Sequence, residues 1–156
     1  MTDPIRPTDA AARALASEIF DAARHGALGV IDPETGAPFV SRVAVLRDGA
    51  DALVLVSTLA QHWAALVARP DCSLLLGEPG RGDPLAHPRL TLQLRASPDA
   101  PEDKAARRAG WLAAHPKSAL YYDFADFHLL RLRCVAGFLN GGFGRAHRLT
   151  PRDLEN

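Results

Sequence analysis

The sequence is poor in features that would assign it to a specialised class of protein. Its 156 residues include only two cysteines, Cys72 and Cys134, and each lies inside an apolar run, where thiols usually behave as small buried hydrophobic groups. Two such thiols exclude a small fold held together by disulfides. They are typical of a reducing compartment, so we expect a cytoplasmic protein.

Charge of one sign and long hydrophobic runs are also missing. Eighteen basic side chains balance eighteen acidic ones, and no block of five like charges occurs. This balance disfavours nucleic acid and anionic membranes as partners. Apolar runs such as Ala52–Val56 are far too short to span a bilayer, and the N-terminal residues lack the basic and apolar regions of an export signal. We therefore expect no nucleic-acid partner and no membrane insertion.

Several catalytic and metal-binding motifs are absent. The six histidines show no HxH or HExxH spacing, and the two cysteines form no CxxC pair. The sequence has no G-x-S-x-G elbow, no P-loop and no strand–GxGxxG–helix unit. We expect no metal site, and the residues that carry any catalysis stay unknown at this stage.

The order of predicted elements indicates a small barrel. Apolar periodicity and turn residues predict helices over Thr8–His25, Leu59–Arg69 and Pro101–His115, and a shorter helical piece over Lys117–Tyr122. Thr8 or Asp9 is expected to cap the first helix and Gly26 to end it, and Ser57 and Thr58 are expected to cap the second. Strands are predicted over Ala27–Ile31, Pro38–Leu46, Ala52–Ser57, Cys72–Leu76, Arg89–Arg95, Phe127–Arg133 and Val135–Leu139. Hairpin-type links favour a closed antiparallel barrel with flanking helices, in one domain spanning residues 1–156.

The segment from Leu55 to Trp63 carries the strongest chemical signal. A strand ends in Ser57 and Thr58 and leads directly into a helix, with His62 one turn further on. Free amides and the positive dipole end of a helix favour a phosphate, and the hydroxyls and the imidazole could add donors. Alternatively, the hydroxyls only cap the helix and His62 lies on the surface. The local pattern leaves both interpretations open.

Arg42 is a cation within the otherwise apolar strand Pro38–Leu46. A guanidinium there is well shaped to bind a phosphate or a flavin oxygen. Alternation along the strand is equally consistent with a solvated arginine on the outer barrel face.

Five short motifs, in order along nearly the whole chain, resemble those of a known family. They are Pro38-x-x-Ser41-Arg42-Val43, Ser57-x-Leu59-Ala60-x-His62, Gly82-Asp83-Pro84-Leu85-Ala86-His87-Pro88-Arg89-Leu90-Thr91-Leu92, Asp126-Phe127 and Gly142-Phe143-Gly144-Arg145-Ala146. Together they resemble the pyridoxamine-phosphate-oxidase-like FMN-binding split barrels, and within them the haem-utilisation branch. The resemblance implies a mainly β protein with flanking helices, built on a six- to seven-stranded antiparallel split β-barrel.

The resemblance also implies the cofactor, FMN, and the residues that hold it. Arg42 and Val43 would line the flavin, Arg89 would reach the flavin of the opposite subunit, and Phe143 would help to close the site. The phosphate would be surrounded by Ser57, Thr58, Gln61, His62 and Trp63. The Asn140-Gly141 pair is equally typical of a plain hairpin turn.

This sequence departs from the family pattern at the phosphate helix. Oxidase-type relatives carry an Arg-Lys pair where His62 and Trp63 stand, so neutralisation of the phosphate must rest more on Arg42 and on backbone amides. In the C-terminal region Arg145-Ala146-His147-Arg148 replaces the Arg-x-His signature of pyridoxamine-phosphate oxidases, so we do not expect that specific activity of this chain.

The resemblance implies an FMN-dependent oxidoreductase with an unassigned small-molecule redox substrate. Two alternatives stay open: a haem-binding or haem-degrading protein on the same fold, and a non-catalytic flavin carrier or sensor. Longer members of the branch carry a further C-terminal segment, so we expect this chain to lack robust haem degradation. Because Ala52–Val56 and Cys72–Leu76 are apolar on both faces, we also expect a homodimer with FMN sites at its interface.

Overall fold

A mixed β-sheet that curves into a split barrel forms the centre of the molecule. The computed structural model describes residues 4–155. The strands within this range are β1 (Ile5–Arg6), β2 (His25–Ile31), β3 (Pro38–Ala44), β4 (Leu46–Asp48), β5 (Asp51–Ser57), β6 (Asp71–Leu76), β7 (Arg89–Pro98), β8 (Phe127–Asn140) and β9 (Ala146–Leu149). The helices are α1 (Ala10–Ala22), α2 (Gln61–Ala68), α3 (Pro101–Ala114) and α4 (Pro151–Leu154), with single 3₁₀ turns at Pro84–Ala86 and Pro116–Leu120.

Strand pairing confirms the split-barrel fold. The strands follow the order β1-β9-β8-β7-β6-β2-β3, and β5 pairs with both β4 and β8. All pairs are antiparallel except β1 with β9. β3 and β5 approach each other without pairing, and this gap is the split. None of the helices between residues 4 and 155 is long and apolar enough to cross a membrane.

The described residues form nine strands, not six or seven, and the difference has local causes. The predicted strands Phe127–Arg133 and Val135–Leu139 are one continuous strand, β8, whose register against β7 shifts between Gln93 and Leu94. The extra residue is accommodated as a bulge, so the chain keeps pairing. The additional strands β1, β4 and β9 have only two to four residues, too few to show a period of two.

The first helix is shorter than predicted. α1 ends at Ala22, and Gly26, which was expected to end it, lies inside β2. A Cβ on Gly26 would come within 2.8–2.9 Å of Leu76, Leu74 and the Leu75 carbonyl. Gly26 therefore allows close approach of β2 to β6 and does not serve as a helix stop. Asp9 is confirmed as the N-cap, because its carboxylate accepts the Ala12 amide at 2.8 Å.

The barrel interior holds the main core, and alternation along the strands explains its composition. On β7, Leu90, Leu92 and Leu94 point inward and are buried, as their alternation with polar residues predicts. Cys72 and Cys134 are buried free thiols. Burial raises the pKa of Cys72 to about 12, so this thiol stays protonated and unreactive at neutral pH.

A second apolar cluster covers the outer surface of one half of the barrel. Leu53 on β5 and Leu129 on β8 pack against Trp111 of α3 and against Tyr122. The expectation that the second face of β5 needs another subunit is therefore wrong, because the chain's own helix α3 covers it. The outer face of β6 is less well covered, because Leu75 on that face is 44% exposed. The expectation that another subunit covers β6 therefore stays a prediction.

The other half of the barrel has no such cover within the described residues. We call it the open sheet face: the outward-facing residues of β3, β2, β6, β7 and the second half of β8. Val40 and Val135 on this face are 64% and 59% exposed. A groove of about 640 Å³ lies here between Gly29, Cys72 and Val135.

An ion-pair network fastens α3 to the barrel. Arg131 on β8 contacts Asp48 at 2.7 Å and Asp51 at 3.0 Å, and Arg107 on α3 bridges Asp48 and Asp99 at 3.0 and 2.9 Å. Burial acts to raise the pKa of Asp48. The hydrogen bond from Arg131 and the charges of Arg107 and Arg131 outweigh it, so this pKa lies below its ordinary value.

This network predicts a specific loss of stability in acid. A carboxyl group whose pKa is lowered by folding stabilises the protein above its ordinary pKa, about 3.9, and loses that contribution as the pH falls through the lowered value. We expect the difference in unfolding free energy between the native chain and Asp48→Asn to shrink as the pH falls from 5 to 3. Urea unfolding followed by circular dichroism measures it, and a difference that is constant over this range would contradict the assignment.

Candidate functional site

The turn between β5 and α2 is fixed by contacts with the segment that leads into β8. The Ser57 hydroxyl donates to Asp126 Oδ2 at 2.7 Å and accepts the Leu59 amide at 3.1 Å. The Thr58 amide donates to the Asp126 carbonyl at 2.8 Å. Asp126 therefore holds both Ser57, the last residue of β5, and Thr58, which follows it. The only proton of the Ser57 hydroxyl is already donated to Asp126.

The start of α2 differs from the predicted one. The helix begins at Gln61 after Ala60, and no side chain caps it, so Ser57 and Thr58 are not its caps. The Ala60 amide donates to the Ser57 carbonyl and the Trp63 amide to the Ala60 carbonyl, both at 3.0 Å. For residues 4–155 no acceptor is recorded for the amides of Gln61 and His62. Two backbone donors thus face outward at the positive end of the helix dipole.

Side chains near these two amides supply further hydrogen-bond donors and an aromatic ring of fixed orientation. Thr58 and Gln61 are exposed, and His62 is half-buried. Burial lowers the pKa of His62, so the imidazole is neutral near pH 7 and can donate only one hydrogen bond. The Trp63 ring packs on the His128 ring with centroids 4.9 Å apart, which fixes its orientation.

Arg42 and Val43 occupy opposite faces of β3. Val43 is 8% exposed and belongs to the interior core, so its side chain does not face the open sheet face. Arg42 is exposed, and no hydrogen bond or ion pair of its guanidinium is recorded within residues 4–155. β4 faces β5 with Leu46 opposite Leu53; extending this register along β3, which does not itself pair with β5, would bring Arg42 level with Ser57 across the split.

Arg89 and Phe143 lie together, away from the start of α2. Arg89 is at the start of β7 and donates to the Leu85 carbonyl at 3.1 Å. Phe143 is 76% exposed in the turn that joins the antiparallel strands β8 and β9, so a hairpin is formed here, and closure of the site by Phe143 stays a prediction. The row Arg42–Ala27–Leu75–Thr91 crosses three strand spacings, so roughly 14 Å of sheet separates Arg42 from β7.

The arrangement at the start of α2 is suited to binding an anion. The two free amides, the Thr58 hydroxyl, the Gln61 amide group and the Arg42 guanidinium supply enough donors for the oxygens of a phosphate. In number and type these donors fit the phosphate of FMN. The charge is less favourable, because the Asp126 carboxylate adjoins Ser57.

Asp126 is the residue of this site whose role the sequence did not reveal. The Asp126-Phe127 pair is visible as a motif, but Ser57 lies 69 positions earlier in the chain. Only the pairing of β5 with β8, in which Ser57 faces Phe127, brings them together. No local pattern at either residue indicates this contact.

The chain is similar to several solved structures and to one curated protein. No family model matches the chain. One solved structure is 43% identical over 97% of this chain and 99% of its own, with a TM-score of 0.88. A heme binding protein from Mycobacterium smegmatis is 30% identical over 96% of this chain and 61% of its own, with a TM-score of 0.84.

Two further relatives are more limited. The chloroplastic non-canonical heme oxygenase HOZ of Arabidopsis thaliana is 41% identical over 82 residues, which is 51% of this chain and 24% of that protein. A Clostridium acetobutylicum protein related to general stress protein 26, of the pyridoxinephosphate oxidase family, is 15% identical over 94% of this chain and 99% of its own, with a TM-score of 0.72. At this identity the similarity shows the fold alone.

Proposed function

We propose that this chain, which belongs to the pyridoxamine-phosphate-oxidase-like split-barrel family and to its haem-utilisation branch, is a homodimeric FMN-binding oxidoreductase. The observation that carries the proposal is the start of α2, where two backbone amides are free and the Thr58 hydroxyl is exposed; Arg42 on β3 would add a cation from across the split. Bound FMN would supply the electron-transfer chemistry. The protein residues would bind its phosphate, orient the ring and exclude water.

A direct test compares FMN with riboflavin, which lacks the phosphate. We expect FMN to bind at least tenfold more tightly, because each charge-assisted hydrogen bond to the phosphate contributes about 1.5–3 kcal/mol. Isothermal titration of both compounds measures the ratio. Equal affinities would show that the start of α2 does not hold a phosphate.

The separation of Arg89 from α2 supports a site shared between two copies. Within one chain, Arg89 and Phe143 lie across three strand spacings from Arg42. In a twofold dimer the open sheet face of one copy would pack against that of the other. We propose that Arg89 of one copy then contacts FMN held by Arg42 and α2 of its partner.

The homodimer is tested by a charge placed on the open sheet face. We expect light scattering to give about twice the mass of one chain for the native protein. Leu75→Asp should shift the protein to monomers, because a carboxylate would be buried in an apolar contact. The matched control is Leu120→Asp, since Leu120 is 78% exposed on the 3₁₀ turn beyond α3. A native monomer, or equal dissociation by both variants, would contradict the proposed interface.

The relatives favour haem binding as a second candidate function. The mycobacterial relative is described as a heme binding protein and the plant relative as a heme oxygenase. A haem-binding role for this chain predicts a saturable Soret band when haemin is titrated into the purified protein, at about one haem per chain. A spectrum equal to that of free haemin would exclude this candidate without affecting the FMN proposal.

A further inference from the structure

We propose that Asp126 determines how much negative charge the site at the start of α2 accepts, favouring a singly charged anionic group over a doubly charged one. The inference rests on the proposed function, because it concerns the site that we assign to the FMN phosphate. Asp126 would then be a residue that determines selectivity through its contact with Ser57, without itself contacting the ligand.

The contact geometry places a negative charge behind Ser57. Asp126 Oδ2 accepts the Ser57 hydroxyl proton at 2.7 Å, so this hydroxyl can offer an approaching anion only its oxygen. A phosphate that still carries one proton could donate it to the Ser57 oxygen and would then lie about 5 Å from the carboxylate, whereas a fully ionised phosphate has no proton to donate there. At that distance, near the protein surface, like charges repel appreciably. A second negative charge on the ligand would increase this repulsion.

Positive charge to offset Asp126 is scarce around the turn. From β3, Arg42 supplies one free guanidinium, as described above. From α2, His62 is neutral near pH 7 because burial lowers its pKa. From β8, the His128 ring packs against Trp63. The charges of Arg42 and Asp126 therefore nearly cancel. A ligand with a single negative charge suits the site better than a ligand with two.

The remaining cations near this segment have other partners. Lys104 on α3 donates to the carbonyl of Phe127, and Arg108 forms a two-pronged pair with Asp123 at 2.8–3.1 Å. Both contacts hold the segment 121–127, which carries Asp126, against α3. They hold the segment in place, and no ion pair of the Asp126 carboxylate is recorded within residues 4–155.

The inference predicts a pH dependence for FMN binding. A phosphomonoester loses its second proton near pH 6, so FMN is mainly a monoanion at pH 5.5 and a dianion at pH 8. We expect native affinity for FMN to be about tenfold higher at pH 5.5 than at pH 8. Affinity for riboflavin, which has no phosphate, should not change over this range.

The deciding variant is Asp126→Asn. Asparagine keeps the size of the side chain and an oxygen that accepts the Ser57 hydroxyl, so the turn is retained while the charge is removed. We expect its affinity for FMN at pH 8 to rise about tenfold and the ratio between pH 5.5 and pH 8 to shrink. His62→Gln is the control for protonation of His62, and in this variant the native pH ratio should largely persist.

The outcomes separate this inference from the proposed function. If FMN binds no more tightly than riboflavin in either protein at either pH, the phosphate site itself is wrong. If FMN is preferred but Asp126→Asn leaves its affinity and pH ratio unchanged, only the charge role of Asp126 is overturned. If Asp126→Asn weakens FMN and riboflavin equally, Asp126 acts as a structural support alone. A pH ratio that disappears in His62→Gln assigns the effect to His62 and also overturns the inference.

Discussion

Replacing Trp111 by alanine is expected to lower the free energy of unfolding by about 3–5 kcal/mol, the usual cost of removing a large aromatic side chain from a core. Trp111 is 1% exposed and fills the space between α3 and the outer surface of β5 and β8. Its Nε1–H donates to the buried hydroxyl of Ser118 at 3.1 Å. The substitution would leave a cavity and remove one of the two partners of the Ser118 hydroxyl, which also contacts the Tyr121 hydroxyl at 3.4 Å. Urea unfolding monitored by circular dichroism measures the loss.

Two controls distinguish the roles of volume and hydrogen bonding. Trp111→Phe keeps most of the buried volume but loses the bond to Ser118, so we expect a smaller cost of about 1–3 kcal/mol. Leu120→Ala removes a side chain that is 78% exposed and should change stability by less than about 0.5 kcal/mol. A loss below about 1 kcal/mol for Trp111→Ala would show that α3 does not stabilise the outer half of the barrel.

Arg42→Ala is expected to weaken FMN binding by about 1.5–3 kcal/mol, or roughly 10- to 150-fold in the dissociation constant. Arg42 has no recorded partner among residues 4–155, so its removal should leave the fold intact. Extending the β4–β5 register along β3 would also bring its guanidinium level with Ser57. Isothermal titration with FMN measures the change.

The specificity of that loss is as informative as its size. Riboflavin affinity should be nearly unchanged in Arg42→Ala, because the guanidinium is assigned to the phosphate. Arg152→Ala, at an exposed position of helix α4, removes the same charge elsewhere and should leave FMN affinity unchanged. If a folded Arg42→Ala protein binds FMN as tightly as the native chain, Arg42 points to solvent, which is the alternative that strand alternation left open.

The elements that the sequence predicts well are those with an uninterrupted period. Arg89–Arg95 alternates polar and apolar residues, and the structure confirms a strand there with one buried face. α3 begins and ends within one residue of its predicted bounds, because Pro101 and Pro116 mark both ends in the sequence. Strand alternation and prolines at helix ends are local signals, so they indicate the same element whatever packs against it.

The features that the sequence did not predict depend on contacts between distant segments. The local sequence around Gly26 predicts the end of a helix, but this glycine is needed to let Leu76 of β6 approach closely. The apolar outer face of β5 predicts a subunit interface, but it is covered by Trp111, which lies more than fifty residues later in the chain. Ser57 reads as a helix cap, but its hydroxyl proton is donated to Asp126. The partner is set by strand pairing for Gly26 and Ser57 and by the packing of α3 for β5, and a local pattern encodes neither.

The claim that two copies share each FMN site is tested most directly by mixing two defective variants. In a heterodimer of Arg42→Ala and Arg89→Ala, one site would have both arginines and the other neither. We expect each variant alone to bind FMN weakly. When the two are unfolded and refolded together in equal amounts, half of the dimers are heterodimers, so about a quarter of all sites should recover native affinity. Recovery of that fraction in an FMN titration is the predicted result, and a mixture that binds no better than the two variants measured separately would contradict the account.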